Sequence, residues 1–168
     1  PPESVPTQQE LAAAYADKLP SFLRAQALGQ RPFEMRPIED PSNPIEPEAR
    51  EPHRMFWLKA TGTLPDDPAL HRYLLAYASD FYLLGTTTFP HGISYYQPNV
   101  QMASLDHAMW FHRPFRVDDW LLYSLDSPTA QNARGLARGL IFTRDGKLVA
   151  SVAQEGLIRV LPEDAEVH

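Results

Sequence analysis

The stretch SLDHAMWFHRPF, residues 104 to 115, gathers a hydroxyl, a carboxylate, two imidazoles and a guanidinium in one short segment. Two histidines can share a metal ion. His107 and His112, however, are five apart, and on a strand an odd spacing sends side chains to opposite faces. No His-x-x-x-His pair stands elsewhere, and the chain has no cysteine to supply a thiolate ligand or nucleophile. No metal site is predicted. A serine nucleophile would call for the strained G-x-S-x-G elbow, which the sequence lacks. Asp106 and His107 are neighbours, and neighbours on a strand diverge, so a Ser-His-Asp triad could come only from the fold. Met109, Trp110 and Phe111 read as core or interface bulk. Arg113-Pro114 reads as a strand end, and Ser104 as a small inward residue.

Two polar residues elsewhere sit in apolar surroundings. Asp80 lies in YLLAYASDFYLLG, within a segment that reads as a buried helix. A carboxylate there is expected to be desolvated, which disfavours its charged form. Gln154 lies in LVASVAQEGLIRV, a strand otherwise fit for a core, and a buried amide needs acceptors for two N–H groups and a donor for its carbonyl. Each is either a satisfied structural group or a functional one.

The elements that would position these residues follow from periodicity and punctuation. TQQE at 7–10 forms a capping box, with Thr7 as cap and Glu10 reaching back. Leu11, Tyr15 and Leu19 then share a helical face, Pro20 stops or kinks the helix, and a second short helix ends at Gly29. Residues 31–39 and 54–62 read as strands. Residues 64–85 read as one long helix, with Asp66, Asp67 and Pro68 at its start and apolar rows on most of its circumference. Strands follow over 99–113, 119–128 and 132–162. Within the last, Asp145-Gly146 marks a two-residue hairpin turn. One buried helix wrapped by a curved antiparallel sheet is an α+β layout.

The totals bound the function. The 168 residues suffice for one domain with a sizeable core, and no apolar run is long enough to cross a membrane as a helix. The opening PPESVPTQQE predicts no signal peptide, and the tail predicts no Ser-Lys-Leu type address, which leaves the cytoplasm as the expected location. A net charge of −6 without a basic run argues against nucleic acid as a partner.

LLAYASDFYLLGTTTFPHG, SLDHAMWFHRPFRVDDWLLYSLDSPTAQNARGLARG and RDGKLVASVAQEGLIRV closely resemble the C-terminal half of the acyl-CoA thioesterase II family. The resemblance runs from about residue 54 to 160, and DHAMWFHRPF together with AQEG carries it most specifically. It implies the hotdog fold, in an arrangement where each full chain carries two hotdog domains. Residues 1–30 would then be a helical connector, 31–161 the C-terminal hotdog thioesterase domain and 162–168 a tail. It further implies hydrolysis of acyl-CoA to free fatty acid and coenzyme A, with no cofactor. The catalytic groups would be Asp80, Ser104 and Gln154, with serine standing where the best-known members carry threonine. Expected partners are the acyl-CoA substrate, a second hotdog domain from an N-terminal half or another subunit, and further copies in a homo-oligomer. Trp110, Phe111 and Tyr123 are candidates to line an acyl tunnel. Arg113, Arg116, Arg134 and Arg138 are candidates for the coenzyme phosphates, although a solvated strand face explains such arginines equally well. The histidines of the 104–115 stretch are expected in packing, hydrogen bonding or substrate contacts. Two other classes fit such a domain: a non-catalytic acyl-binding or oligomerisation module, and an acyl-thioester dehydratase, whose usual histidine–aspartate pair is not evident in the sequence.

Overall fold

The computed structural model describes residues 1–15, 24, 29, 31–38 and 47–162. Seven strands make one antiparallel sheet: β1 (Phe33–Pro37), β2 (His53–Ala60), β3 (Val100–Ser104), β4 (Ala108–Phe111), β5 (Leu121–Gln131), β6 (Arg134–Thr143) and β7 (Leu148–Val160). Their order is β1-β2-β5-β6-β7-β3, and β4 also pairs with β7. Helix α1 (Gln8–Tyr15) precedes the sheet, and helix α2 (Pro68–Ala78) lies between β2 and β3. The α+β layout expected from the sequence is therefore present.

The capping box forms as expected. Thr7 N–H donates to Glu10 Oε2 at 2.7 Å, and Glu10 N–H donates to Thr7 Oγ1 at 3.2 Å. The helical continuation expected to Gly29, with its stop at Pro20, lies outside the described residues apart from Arg24 and Gly29.

Helix α2 is shorter than the periodicity predicts. It starts where its signals place it, with Asp67 Oδ1 accepting from Ala69 N–H at 2.9 Å and Pro68 in the first turn. It ends after 11 residues instead of running to residue 85. Ser79 donates its hydroxyl back to Ala76 O, a bond that competes with the helix ladder. Tyr82 then takes φ 64, which no right-handed helix tolerates. The chain continues through a 3-10 segment, Leu84–His91. Nor is α2 buried all round. His71, Leu75 and Ala78 form its buried face, while Tyr73 and Tyr77 face outward. Complete burial of a leucine such as Leu75 stabilises by about 1.5–3 kcal/mol.

The β6–β7 hairpin turn differs in detail from expectation. Thr143 and Lys147 close the β6–β7 turn, Thr143 N–H donating to Lys147 O, and of the three residues between them only Gly146 has positive φ, its N–H donating to Thr143 O. It is a type I turn closed by a glycine bulge, not a two-residue turn. The two-residue turn with positive φ at both positions occurs instead at Asn132 (φ 52) and Ala133 (φ 59), between β5 and β6.

The single strand expected over 99–113 is two strands. Ser104 pairs with Gly156 and Ala108 with Ala153, so the segment between them holds one residue more than β7 does. Leu105 N–H and Asp106 N–H both point at Glu155 O, which marks a β-bulge. The core between sheet and helix comprises Phe56, Leu58, Leu75, Leu83, Leu121, Tyr123, Leu125, Ile141 and Val152, among others. No described helix is long and apolar enough to cross a membrane.

Candidate active site

Gln154 lies on β7 with its side chain turned to the core, and the residue is 1% exposed. Alternation on that strand makes Ala150, Val152, Gln154 and Gly156 one buried face. Its amide reaches across 74 positions of sequence: Nε2 donates to Asp80 Oδ1 at 2.6 Å. The second Nε2 hydrogen meets His107 Nδ1 at 3.1 Å. The carbonyl Oε1 is buried with no hydrogen-bond donor among the described residues.

Asp80 is not inside a helix. It occupies the turn after α2, and its side chain is 59% exposed in this chain. The desolvation expected from the apolar sequence is thus absent here, because the helix ends two residues earlier and the turn carries the carboxylate outward. The turn itself is fixed from the core side. Ser79 is fully buried, and Tyr123 Oη donates to Ser79 O at 2.7 Å. Burial foremost, with the Asp80 charge adding, holds the Tyr123 phenol well above its ordinary pKa, so it remains a donor.

His107 sits at the bulge between β3 and β4. Its Nε2 lies 2.9 Å from Ser79 Oγ, and its side chain is 27% exposed. Its Nδ1 lies 3.9 Å from Asp80 Oδ1, too far for a hydrogen bond, with the Gln154 amide bridging the two. A histidine–aspartate approach not evident in the sequence therefore exists.

Ser104, the third expected residue, stands opposite Gly156 on β3, so it shares the inner face of the sheet with Gln154. Diagonal positions on paired strands lie about 7–8 Å apart. No hydrogen bond joins Ser104 Oγ to Asp80 or Gln154 among the described residues. The structure thus joins Asp80 and Gln154 directly and sets Ser104 on the adjacent strand.

The other candidates separate. Tyr123 is buried in the core, whereas Trp110 and Phe111 are exposed on β4, so the three do not line one tunnel in this chain. Arg138 forms two bonds with Asp126, Arg134 pairs with Glu155, and Arg116 pairs with Asp118 and Asp66. Arg113 donates to Leu148 O. No cluster of three metal-binding side chains occurs among the described residues. The sequence gives no sign of Ser79, offers Tyr123 only as an acyl-tunnel candidate, and places His107 only among histidines expected in packing, hydrogen bonding or substrate contacts. Ser79 adjoins Asp80, and a polar Asp-His pair inside an apolar strand was the available sign of a bulge.

Residues 23–157 match the acyl-CoA thioesterase family. Human acyl-coenzyme A thioesterase 8 is 42% identical over 151 residues, covering 89% of this chain and 46% of its own length. Acyl-CoA thioesterase 2 of Haemophilus influenzae is 37% identical over 158 residues, covering 94% of this chain and 55% of its own. The chain thus spans about half the length of these relatives. The crystal structure of an acyl-CoA thioesterase II from Mycobacterium marinum superposes with TM-score 0.70 at 38% identity, covering 98% of this chain and 55% of that one. A hot dog fold protein from Alicyclobacillus acidocaldarius superposes with TM-score 0.63 at 16% identity, covering 95% of this chain and 52% of its own. The fold is the α+β hotdog, and the chain belongs to the acyl-CoA thioesterase family.

Proposed function

We propose that this chain is the C-terminal half of a hydrolase that splits acyl-CoA into free fatty acid and coenzyme A. Water is the nucleophile. Asp80 accepts its proton as the oxygen attacks the thioester carbonyl, and Ser104 and Gln154 orient it by hydrogen bonds. The carbonyl then re-forms as the C–S bond breaks, and the thiolate leaves as coenzyme A, taking up the proton that Asp80 received. The observation that carries this reading is the 2.6 Å bond between the buried Gln154 amide and the Asp80 carboxylate. It ties the amide of one conspicuous polar residue to the carboxylate of the other, and leaves Gln154 Oε1 for a further donor.

The exposure of Asp80 supports a second hotdog domain as partner, since a base that works in a dry site needs a cover. Residues 31–161 would form one half of the pair. The apolar Leu105, Trp110 and Phe111 exposed on the edge beside Asp80 support a surface that other protein covers, in the full-length protein or a homo-oligomer.

The test is thiol release from a panel of acyl-CoAs by the full-length protein. Asp80→Asn should lower kcat by about 10²–10⁴-fold with the fold intact, and full activity in the folded variant would refute the role. Gln154→Ala should lower kcat more than it raises KM. Ser104→Thr should be tolerated and Ser104→Ala should not. The approach of His107 to Asp80 favours one second reading, hydration of an enoyl thioester. Loss of enoyl-CoA absorbance without thiol release would select it.

A further inference from the structure

The hydrogen-bond directions around Gln154 close in only one way. Its Nε2 carries two hydrogens, and the two neighbours of that nitrogen are Asp80 Oδ1 at 2.6 Å and His107 Nδ1 at 3.1 Å. Asp80 accepts when ionised. His107 Nδ1 must then also accept, so the ring is neutral and its hydrogen is on Nε2. That hydrogen points at Ser79 Oγ, 2.9 Å away. Ser79 Oγ can accept it because its own hydrogen goes to Ala76 O at 2.8 Å. Every proton in the set has an acceptor, and the chain of donors ends on a main-chain carbonyl of α2. The reverse orientation of the amide would set Oε1 against the carboxylate, oxygen on oxygen.

We propose that His107 is a positioning residue for thioester hydrolysis: held by Ser79 in its Nε2–H form, it uses the Nδ1 lone pair to keep the Gln154 amide nitrogen turned to Asp80. The proposal rests on the reading of Asp80 and Gln154 given above. Its consequence is directional. With the nitrogen fixed toward Asp80 and His107, the amide holds the Asp80 carboxylate in place as the base, while Oε1 stays buried. A proton added to His107 Nδ1 would face the Gln154 N–H, donor against donor. The amide would have to rotate, and Asp80 would lose its 2.6 Å bond. The charged and titratable neighbours of His107 are few. Asp80 approaches from the turn after α2 at 3.9 Å. Asp106, next in sequence, is turned away, its Oδ1 accepting from Glu155 N–H, and the Glu155 carboxylate is held by Arg134. The Tyr123 hydroxyl is occupied by Ser79 O.

The experiment compares wild type, His107→Ala, His107→Asn and Asp80→Asn in the full-length protein. It measures kcat and KM for an acyl-CoA across about pH 5 to 9, the span in which imidazole charge changes occur, and takes a melting curve for each variant. Asparagine places an acceptor oxygen where Nδ1 was and does not titrate there. His107→Ala is expected to lower kcat about three- to tenfold, the worth of one hydrogen bond, with KM unchanged. His107→Asn is expected to recover most of kcat and to lose one acid-side ionisation from the profile. Should His107→Ala not fold, His107→Asn carries the kinetic test. Histidine-selective nitrogen-15 spectra of the folded wild type at about pH 8 supply a readout independent of activity, with the Nε2–H tautomer expected. An Nδ1–H ring, or a pH profile unchanged in His107→Asn, overturns the proposal. If these fail while Asp80→Asn is inactive, the hydrolase reading stands without His107. If Asp80→Asn is fully active, that reading falls first.

Discussion

Replacing Tyr123 by phenylalanine removes one oxygen and little else. The ring stays packed edge-on against Phe56, with centroids 5.3 Å apart, so no cavity large enough to cost packing energy opens. What is lost is the 2.7 Å bond to Ser79 O. Ser79 is fully buried, and no other described group donates to that carbonyl, so the acceptor is left unsatisfied inside the core. A buried orphaned acceptor costs about 1–3 kcal/mol. For a domain of this size about 2 kcal/mol lowers Tm by about 4–8 °C. The Ser79 carbonyl belongs to the peptide that continues into Asp80, so the same loss should loosen the carboxylate's aim. We expect kcat for acyl-CoA hydrolysis to fall about three- to tenfold with little change in KM. Thermal melting and thiol release on Tyr123→Phe measure both. An unchanged Tm would refute the energetic reasoning. A lowered Tm with full kcat would show that the bond stabilises the turn without positioning Asp80.

Three further outcomes follow from local geometry. Ala133→Gly should raise Tm by about 1–3 °C, because Ala133 holds φ 59 at a cost of about 1–2 kcal/mol that glycine escapes, less the greater chain entropy of glycine; a lower melting point in calorimetry would count against it. Gly139→Ala should destabilise by about 1–3 kcal/mol, since a methyl group there overlaps the Tyr123 ring; urea unfolding reads the midpoint shift, and an unchanged midpoint would mean the ring can move aside. Asp118, which bonds Arg116 and Leu64 N–H, has its pKa brought down to about 2, chiefly by the Arg116 hydrogen bonds. A lowered folded-state pKa gives stability that is complete above the unfolded value near 4 and is lost as pH falls toward 2. The Tm gap between wild type and Asp118→Asn should therefore be full at neutral pH and close between about pH 4 and 2.

Local signals in the sequence hold where the chemistry is local. The Thr7–Glu10 box and the helix start at Asp67 and Pro68 each depend on residues within a few positions. The pairing of Asp80 with Gln154 came from family likeness; periodicity gave only two polar residues in apolar company. The sequence pattern misleads where a side chain competes with the backbone. The rows of apolar residues run on past Ala78, yet Ser79 bonds back to Ala76 O and Tyr82 reverses the chain, so the helix ends and Asp80 surfaces. At the turns, Asp145-Gly146 has the composition of a two-residue hairpin but only Gly146 takes positive φ, whereas Asn132-Ala133 takes it at both positions although alanine gains nothing there.

The bulge shows why regular elements alone would have built a poorer site. Extending the Ser104–Gly156 pairing along β3 without a break would put Asp106 opposite Gln154. A second carboxylate would then face the amide beside Asp80, and two like charges on one buried amide disfavour each other. The one-residue shift brings the register to that of Ala108–Ala153, which, extended back, puts His107 opposite Gln154 instead. Asp106 is displaced onto Glu155 N–H, and a neutral acceptor replaces a charged one. On the helix side, Tyr82 holds a strained φ of 64 with its ring against Phe56, and this reversal follows Asp80 by two residues. A bulge on one side and a broken helix on the other bring a carboxylate and an imidazole to the same amide. The irregular backbone is where chemistry was fitted to the sheet, and periodic patterns carry no record of it.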